Sequence, residues 1–145
     1  MPTWISAGYQ EYSGRLPRHC PLLLREIEPG KRGKGTDPGQ ARREESGRLL
    51  SAIDDGSWAI VLDVGGKRWS SEQLAQQLER WLQAGRDVVF MIGGPEGLDP
   101  SCMARADQHW SLGPLTLPHP LVRVILAEQL YRAWTILSNH PYHRS

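Results

Sequence analysis

Trp58-Ala59-Ile60-Val61-Leu62-Asp63-Val64 is a nearly continuous apolar run that ends at Gly65-Gly66. A strand covered on both faces has this pattern, because neither side of it alternates toward water. Beyond it, Ser70 stands three positions before Gln73, the spacing of a capping box, and Leu74, Leu78, Trp81 and Leu82 recur at helical intervals until Gly85. Val88-Val89-Phe90-Met91-Ile92 is a second buried run. Strand, helix and strand in that order predict a βαβ unit over residues 58–92, and with it an α/β fold on a parallel sheet flanked by helices.

The alternation continues toward the C-terminus. The pattern predicts a helix over residues 100–108, a short strand over 115–117 and a long helix from about Pro120. That helix carries Leu121, Ile125, Leu126, Leu130, Trp134 and Leu137 on one side, with Glu128 and Arg132 spaced as an i,i+4 pair. Ahead of the βαβ unit, residues 4–12 read as a helix, 22–27 as a strand and 40–53 as a charged amphipathic helix. Residues 29–39 are too rich in glycine and proline to be anything but loop. An opening helix is unusual in this architecture, since it needs a sheet to lie on and ordinarily follows a strand.

A chain of 145 residues suffices for one domain with a single core, and neither a repeat nor a linker divides it. Lys and Arg total 17 against 16 Asp and Glu, a net charge of +1, so no global field points to nucleic acid or membrane. Any anionic partner must be met by a local patch. Cys20 and Cys102 lie far apart without CxxC spacing, which argues against a zinc site or disulfide framework and fits a reducing cytoplasm. No run approaches the ~20 apolar residues of a membrane span, and the start lacks a signal-peptide pattern. The chain reads as soluble, cytoplasmic and unexported.

Chemistry concentrates at two strand exits and at the tail. Gly93-Gly94-Pro95-Glu96-Gly97 follows a buried run. Such residues reverse a chain in any loop, yet at the carboxyl end of a parallel strand they also leave room for an adenosine or phosphate group. The spacing is neither GxGxxG nor a phosphate loop, which disfavours a dinucleotide or triphosphate. Glu96 is placed either to bond a ribose hydroxyl or to face solvent. Pro118-His119-Pro120 restrains the chain around one histidine, which suits a helix start more than catalysis. The ending Asn139-His140-Pro141-Tyr142-His143-Arg144-Ser145 gathers two histidines, a tyrosine and an arginine, groups that move protons or grip phosphate. It either frays in solvent or folds over a site. Two histidines without further ligand types do not make a metal site. Lys31, Arg32 and Lys34, backed by Arg42 and Arg43, form the best local match to a nucleic-acid backbone, with a solvated loop as the plain alternative.

Taken in register, Trp4-Ile5, Pro29-Gly30-Lys31-Arg32-Gly33-Lys34, Leu62-Asp63, residues 93–98, Leu115-Thr116-Leu117-Pro118-His119, Arg123-Val124, Glu128-Gln129-Leu130-Tyr131-Arg132-Ala133 and His140-Pro141-Tyr142-His143-Arg144 resemble the RlmH family, small SPOUT-class methyltransferases of ribosomal RNA. The resemblance covers essentially the whole chain. It implies a single SPOUT domain over residues 1–145 with a C-terminal trefoil knot, which no periodicity shows and ordinary topology rules oppose. It implies a homodimer that methylates N3 of a pseudouridine in helix 69 of 23S rRNA within the 70S ribosome, using S-adenosylmethionine and no metal. Carried over by motif, Leu62, Gly94, Gly113, Pro114, Leu115, Thr116, Leu117 and Pro118 bind the cofactor. His143, Tyr142 and Arg144 are the catalytic candidates, and Lys31, Arg32, Lys34 and Arg132 are the RNA contacts.

Two departures stand out. Gly113-Pro114 replaces a serine and a variable residue ahead of Leu-Thr-Leu-Pro. The family also begins with an apolar strand that this chain, starting Met1-Pro2-Thr3-Trp4, is expected to lack. A catalytically silent RNA- or ribosome-binding module of the same fold is the alternative to an enzyme, and an α/β enzyme using another nucleotide is a third reading.

Overall fold

The computed structural model describes residues 2–30, 33, 35, 37–94 and 97–144. The elements in chain order are α1 (Thr3–Ser13), α2 (Pro38–Ser51), β1 (Trp58–Arg68), α3 (Ser71–Ala84), β2 (Val88–Met91), α4 (Pro100–Arg105), β3 (Gln108–Ser111) and α5 (His119–Leu137), followed by a 3-10 turn, Pro141–Arg144. They fall into two compact units between which the chain passes at Arg25, Trp69, Arg86 and Pro120. One holds α2, α4 and the sheet. The other holds α1, α3, nearly all of α5 and the terminal turn.

The sheet is parallel, in the order β2-β1-β3. Ala59, Ile60 and Val61 of the central strand are fully buried on alternating faces, as the unbroken apolar run predicts. On one face Ala59, Val61, Met91 and Cys102 form a core against which Leu49, Leu50 and Ile53 from the end of α2 are packed. β1 runs on to Arg68, past the glycine pair expected to end it. Trp110 pairs with both Leu62 and Lys67, so residues 63–66 bulge out of the ladder. The bulge is tied by Asp63, whose Oδ2 accepts from the Gly65 amide at 3.1 Å.

Three further expectations are corrected. The helix over 100–108 stops at Arg105, because Asp107 enters the sheet. Its amide donates to the Ala59 carbonyl at 2.7 Å and its carboxylate accepts from the Ala59 amide at 2.8 Å. β3 follows at once, and Gln108 Oε1 accepts from Trp58 Nε1 at 2.7 Å. The strand expected over 115–117 is irregular chain with Leu115 74 % exposed. The strand expected over 22–27 is irregular as well. Consecutive leucines there lack the alternation of a half-buried strand, Leu23 is exposed, and the carbonyls of Glu28 and Pro29 that follow accept from Arg48 Nη1 at 2.8 and 3.0 Å instead of from a neighbouring strand.

In the helical unit, α3 has the predicted ends. Ser70 Oγ accepts from the Gln73 amide at 3.1 Å, Gln73 Oε1 accepts from the Ser70 amide at 2.8 Å, and Gly85 closes the helix at φ +70°. Ser70→Ala removes the acceptor for one of the helix's first amides. A loss of about 1 kcal/mol is expected, read as a lower urea midpoint at unchanged slope. Leu74, Leu78 and Trp81 are buried, while Leu82 stays 40 % exposed. Ser71 Oγ donates to Gln129 Oε1 at 2.8 Å, joining α3 to α5. α1 lies close to α5 at Gly8, where an added Cβ meets Val124 at 3.3 Å. No helix among the described residues is long and apolar enough to cross a membrane.

Candidate active site

Parallel strands all end on one edge of their sheet, and that is where a ligand finds backbone not already used by the ladder. Here three segments leave that edge. Leu62 is the last β1 residue before the bulge and pairs with Trp110. β2 ends at Met91, and the glycine turn follows. β3 ends at Ser111, and residues 112–118 follow. Since Val61 pairs with Met91 and Leu62 with Trp110, the three exits are adjacent in the sheet. The residues expected to bind the cofactor, Leu62, Gly94 and the run from Gly113 to Pro118, all lie on these exits.

Local geometry explains the glycines. The Gly97 amide donates to the Gly94 carbonyl at 2.9 Å, with Gly97 at φ +78°, so the turn closes on itself. Pro95 and Glu96, including the ribose contact considered for Glu96, lie outside the described residues. Gly113 sits at φ +132°, a conformation that side chains resist, and an added Cβ there meets nothing within 4 Å. Ser111 holds it from both sides, since its hydroxyl accepts from the Gly113 amide and donates to the Gly113 carbonyl, both at 3.1 Å. The departure at Gly113-Pro114 is thus a left-handed turn pinned by Ser111. Among the described residues, the chain from Pro114 to Leu117 makes no backbone–backbone hydrogen bond, so its amides at Leu115, Thr116 and Leu117 are open to a ligand.

The tail belongs to the helical unit and does not wave freely. α5 stops where Asn139 turns left-handed at φ +63°, and the His140 amide donates to the Thr135 carbonyl at 2.8 Å. The 3-10 turn then brings Tyr142 onto α5. Its hydroxyl donates to Glu128 Oε1 at 3.1 Å, and its ring lies 4.7 Å from that of Tyr131. Arg132 Nε and Nη2 donate to the same carboxylate oxygen at 2.9 and 2.7 Å, and the Arg132 guanidinium stands 5.1 Å over the Tyr142 ring. The i,i+4 pair read from the sequence is therefore present, and it carries the tail as well.

Burial first, then hydrogen bonding with Glu128 and with Tyr12, pushes the Tyr142 phenol up to about 12. It remains a proton donor at neutral pH. Its folded pKa is raised, so its contribution holds below the ordinary value near 10 and is lost as pH climbs through about 12. The bond to Glu128 likewise raises the Arg132 guanidinium. His143 differs from both, because its Nδ1 is buried without a hydrogen-bond partner among the described residues. Arg144 is exposed.

Lys31, Arg32 and Lys34 lie outside the described residues. Arg25, Arg43 and Arg48 line an open cleft of about 550 Å³. Two of these cations are already engaged, Arg43 with Asp37 at 3.4 Å and Arg48 with the carbonyls named above. The sequence reading missed the linkage of Glu128 to Tyr142, although the heptapeptide Glu128–Trp134 presents Glu128, Tyr131 and Arg132 on one helical face.

The family model described as "Predicted SPOUT methyltransferase" matches residues 1–143. The chain belongs to the SPOUT methyltransferase family. A SPOUT relative from Methylococcus capsulatus, named Ribosomal RNA large subunit methyltransferase H, is 55 % identical over 144 residues, which is 99 % of this chain and 93 % of that protein. A relative of the same name from Hahella chejuensis is 55 % identical over 144 residues, 99 % of this chain and 92 % of its own.

Proposed function

We propose that this chain methylates N3 of a pseudouridine in helix 69 of 23S rRNA, acting as a cytoplasmic homodimer on the assembled 70S ribosome, with both units forming one knotted SPOUT domain. The observation that carries the reading is the adjacency of three strand exits bearing the cofactor motif, in a chain 55 % identical to rRNA methyltransferases over 99 % of its length.

S-adenosylmethionine fits these residues. The open amides at Leu115, Thr116 and Leu117 suit the edge of an adenine, the space beside Gly113 admits backbone-close approach, and Leu62 offers apolar surface. When bound, the cofactor supplies an electrophilic methyl carbon on a cationic sulfur. The protein's task is alignment and proton removal. Methylation of N3 requires that its proton go to a base. Tyr142, held protonated by its surroundings, does not serve. His143 is the imidazole that takes the proton. Arg144 meets RNA phosphate, as do Lys31, Arg32 and Lys34, while Arg132 orients the tail through Glu128.

Primer extension on ribosomes from a strain lacking the enzyme tests this. Incubation with the protein and S-adenosylmethionine should create a new stop at the helix 69 pseudouridine. Calorimetric binding of the cofactor with no such stop leaves the fold and pocket but rejects the substrate.

A further inference from the structure

Arg15 follows α1 by two residues, and its guanidinium lies over three tyrosine rings. The distances to the centroids are 5.3 Å for Tyr12, 5.5 Å for Tyr131 and 5.9 Å for Tyr142. Glu11, one helical turn back, pairs with it. One cation therefore reaches α1, α5 and the terminal turn at once. The planar, delocalised guanidinium is the group suited to stacking among rings, and a lysine ammonium in its place keeps charge but loses the plane.

The arrangement is more than anchorage for α1. Ile5 and Tyr9 already bury that helix, Tyr9 donates to the Leu22 carbonyl at 3.2 Å, and the Glu11 pair needs no aromatic neighbour. The terminal turn, by contrast, has four residues and buries none of them. A 3-10 turn of that length at a chain end frays unless it is held. Its holdings are the Tyr142 hydroxyl on Glu128, the ring contact with Tyr131, and the two guanidiniums of Arg132 and Arg15. Arg15 comes from outside α5, as does Tyr12 through its hydrogen bond with Tyr142, and together they tie the turn to the end of α1.

We propose that Arg15 is a positioning residue for methyl transfer, fixing the terminal turn through Tyr131 and Tyr142 so that His143 and Arg144 keep one orientation. The inference rests on the tail's role in the proposed reaction. It assigns α1 a share in turnover without contact with substrate.

The test compares wild-type protein with Arg15→Met, which keeps length and loses charge, and Arg15→Lys, which keeps charge and loses the plane. In Arg15→Met, amide hydrogen exchange over residues 139–144 should quicken about fivefold. Single-turnover methylation of ribosomes should fall by a similar factor, with KM for ribosomes, affinity for S-adenosylmethionine and thermal midpoint held near wild type. Arg15→Lys should recover part of both losses. Tail exchange and turnover unchanged in Arg15→Met overturn the proposal, and so does a loss that lies wholly in KM or in the thermal midpoint. Wild-type protein that leaves ribosomes unmethylated rejects the enzymatic reading itself, a separate result, since tail exchange is measured without substrate.

Discussion

His143→Ala is expected to lower single-turnover methylation of ribosomes by about 10²- to 10⁴-fold, the range a positioned base contributes. Tyr142 is pushed up to about 12 and donates to Glu128, so it holds its proton at neutral pH. The guanidinium of Arg144 has no site that accepts a proton. Of the tail's two imidazoles, His140 uses its Nδ1 to accept from the Tyr142 amide at 3.2 Å, whereas His143 Nδ1 is buried without a hydrogen-bond partner among the described residues, and His143 is taken as the base. Three readouts separate a base from a prop. Binding of S-adenosylmethionine should be unchanged, because the residues assigned to it lie on the strand exits. The deficit should narrow as pH rises, since the N3 site then ionises without help. Added imidazole should restore part of the rate. Tyr142→Phe gives the contrast, a smaller loss with an unaltered pH profile, since it removes a clasp and not a base. A His143→Ala protein with wild-type turnover shows the tail to be structural.

Much of this was legible in the sequence, for identifiable reasons. The βαβ unit could be read because a fully buried strand needs no alternation, and Ser70, Gln73 and Gly85 write the ends of α3 in local chemistry. β3 could not be read. Gln108-His109-Trp110-Ser111 has no strand pattern of its own and becomes a strand because Asp107 and Gln108 bond to Ala59 and Trp58, residues remote in sequence. The reverse error occurred over 115–117, where Leu-Thr-Leu mimics a strand but has no strand partner among the described residues and is left as irregular chain at the exit of β3. The same blindness to distance hid the tail clasp. Glu128 and Arg132 announce themselves as a helical pair, whereas Tyr142 on Glu128 and Arg15 on three tyrosines arise only once the termini meet. The residues proposed to bind the cofactor were read by motif, and the fold sets them on adjacent strand exits.

Gly66→Ala should be the most damaging small substitution in the sheet, at a cost of about 3 kcal/mol. A Cβ built at Gly66 falls 2.7 Å from the His109 carbonyl carbon, 2.7 Å from the Trp110 nitrogen and 2.8 Å from the Trp110 carbonyl carbon. All three atoms are backbone, so no rotamer change relieves the clash and β1 must part from β3. The parting occurs at the end of the bulge, where Lys67 and Arg68 resume pairing with Trp110 and Ser111. Trp110 is 2 % exposed and its ring meets Phe90 at 6.1 Å, so displacing it disturbs the sheet's core. Gly47→Ala is the matched control. It lies within α2 with open space around an added Cβ, and a helical glycine replaced by alanine gains about 1 kcal/mol. Urea unfolding should therefore move the two midpoints in opposite directions for the same chemical change. Because Ser111 pins Gly113 and Leu62 pairs with Trp110, the Gly66 substitution should also weaken S-adenosylmethionine binding, even under conditions where the protein remains folded. A Gly66→Ala protein as stable as wild type means that β1 and β3 do not approach this closely. The bulge then no longer places Leu62 beside the exit of β3, and the strand exits lose the adjacency on which the cofactor assignment stands.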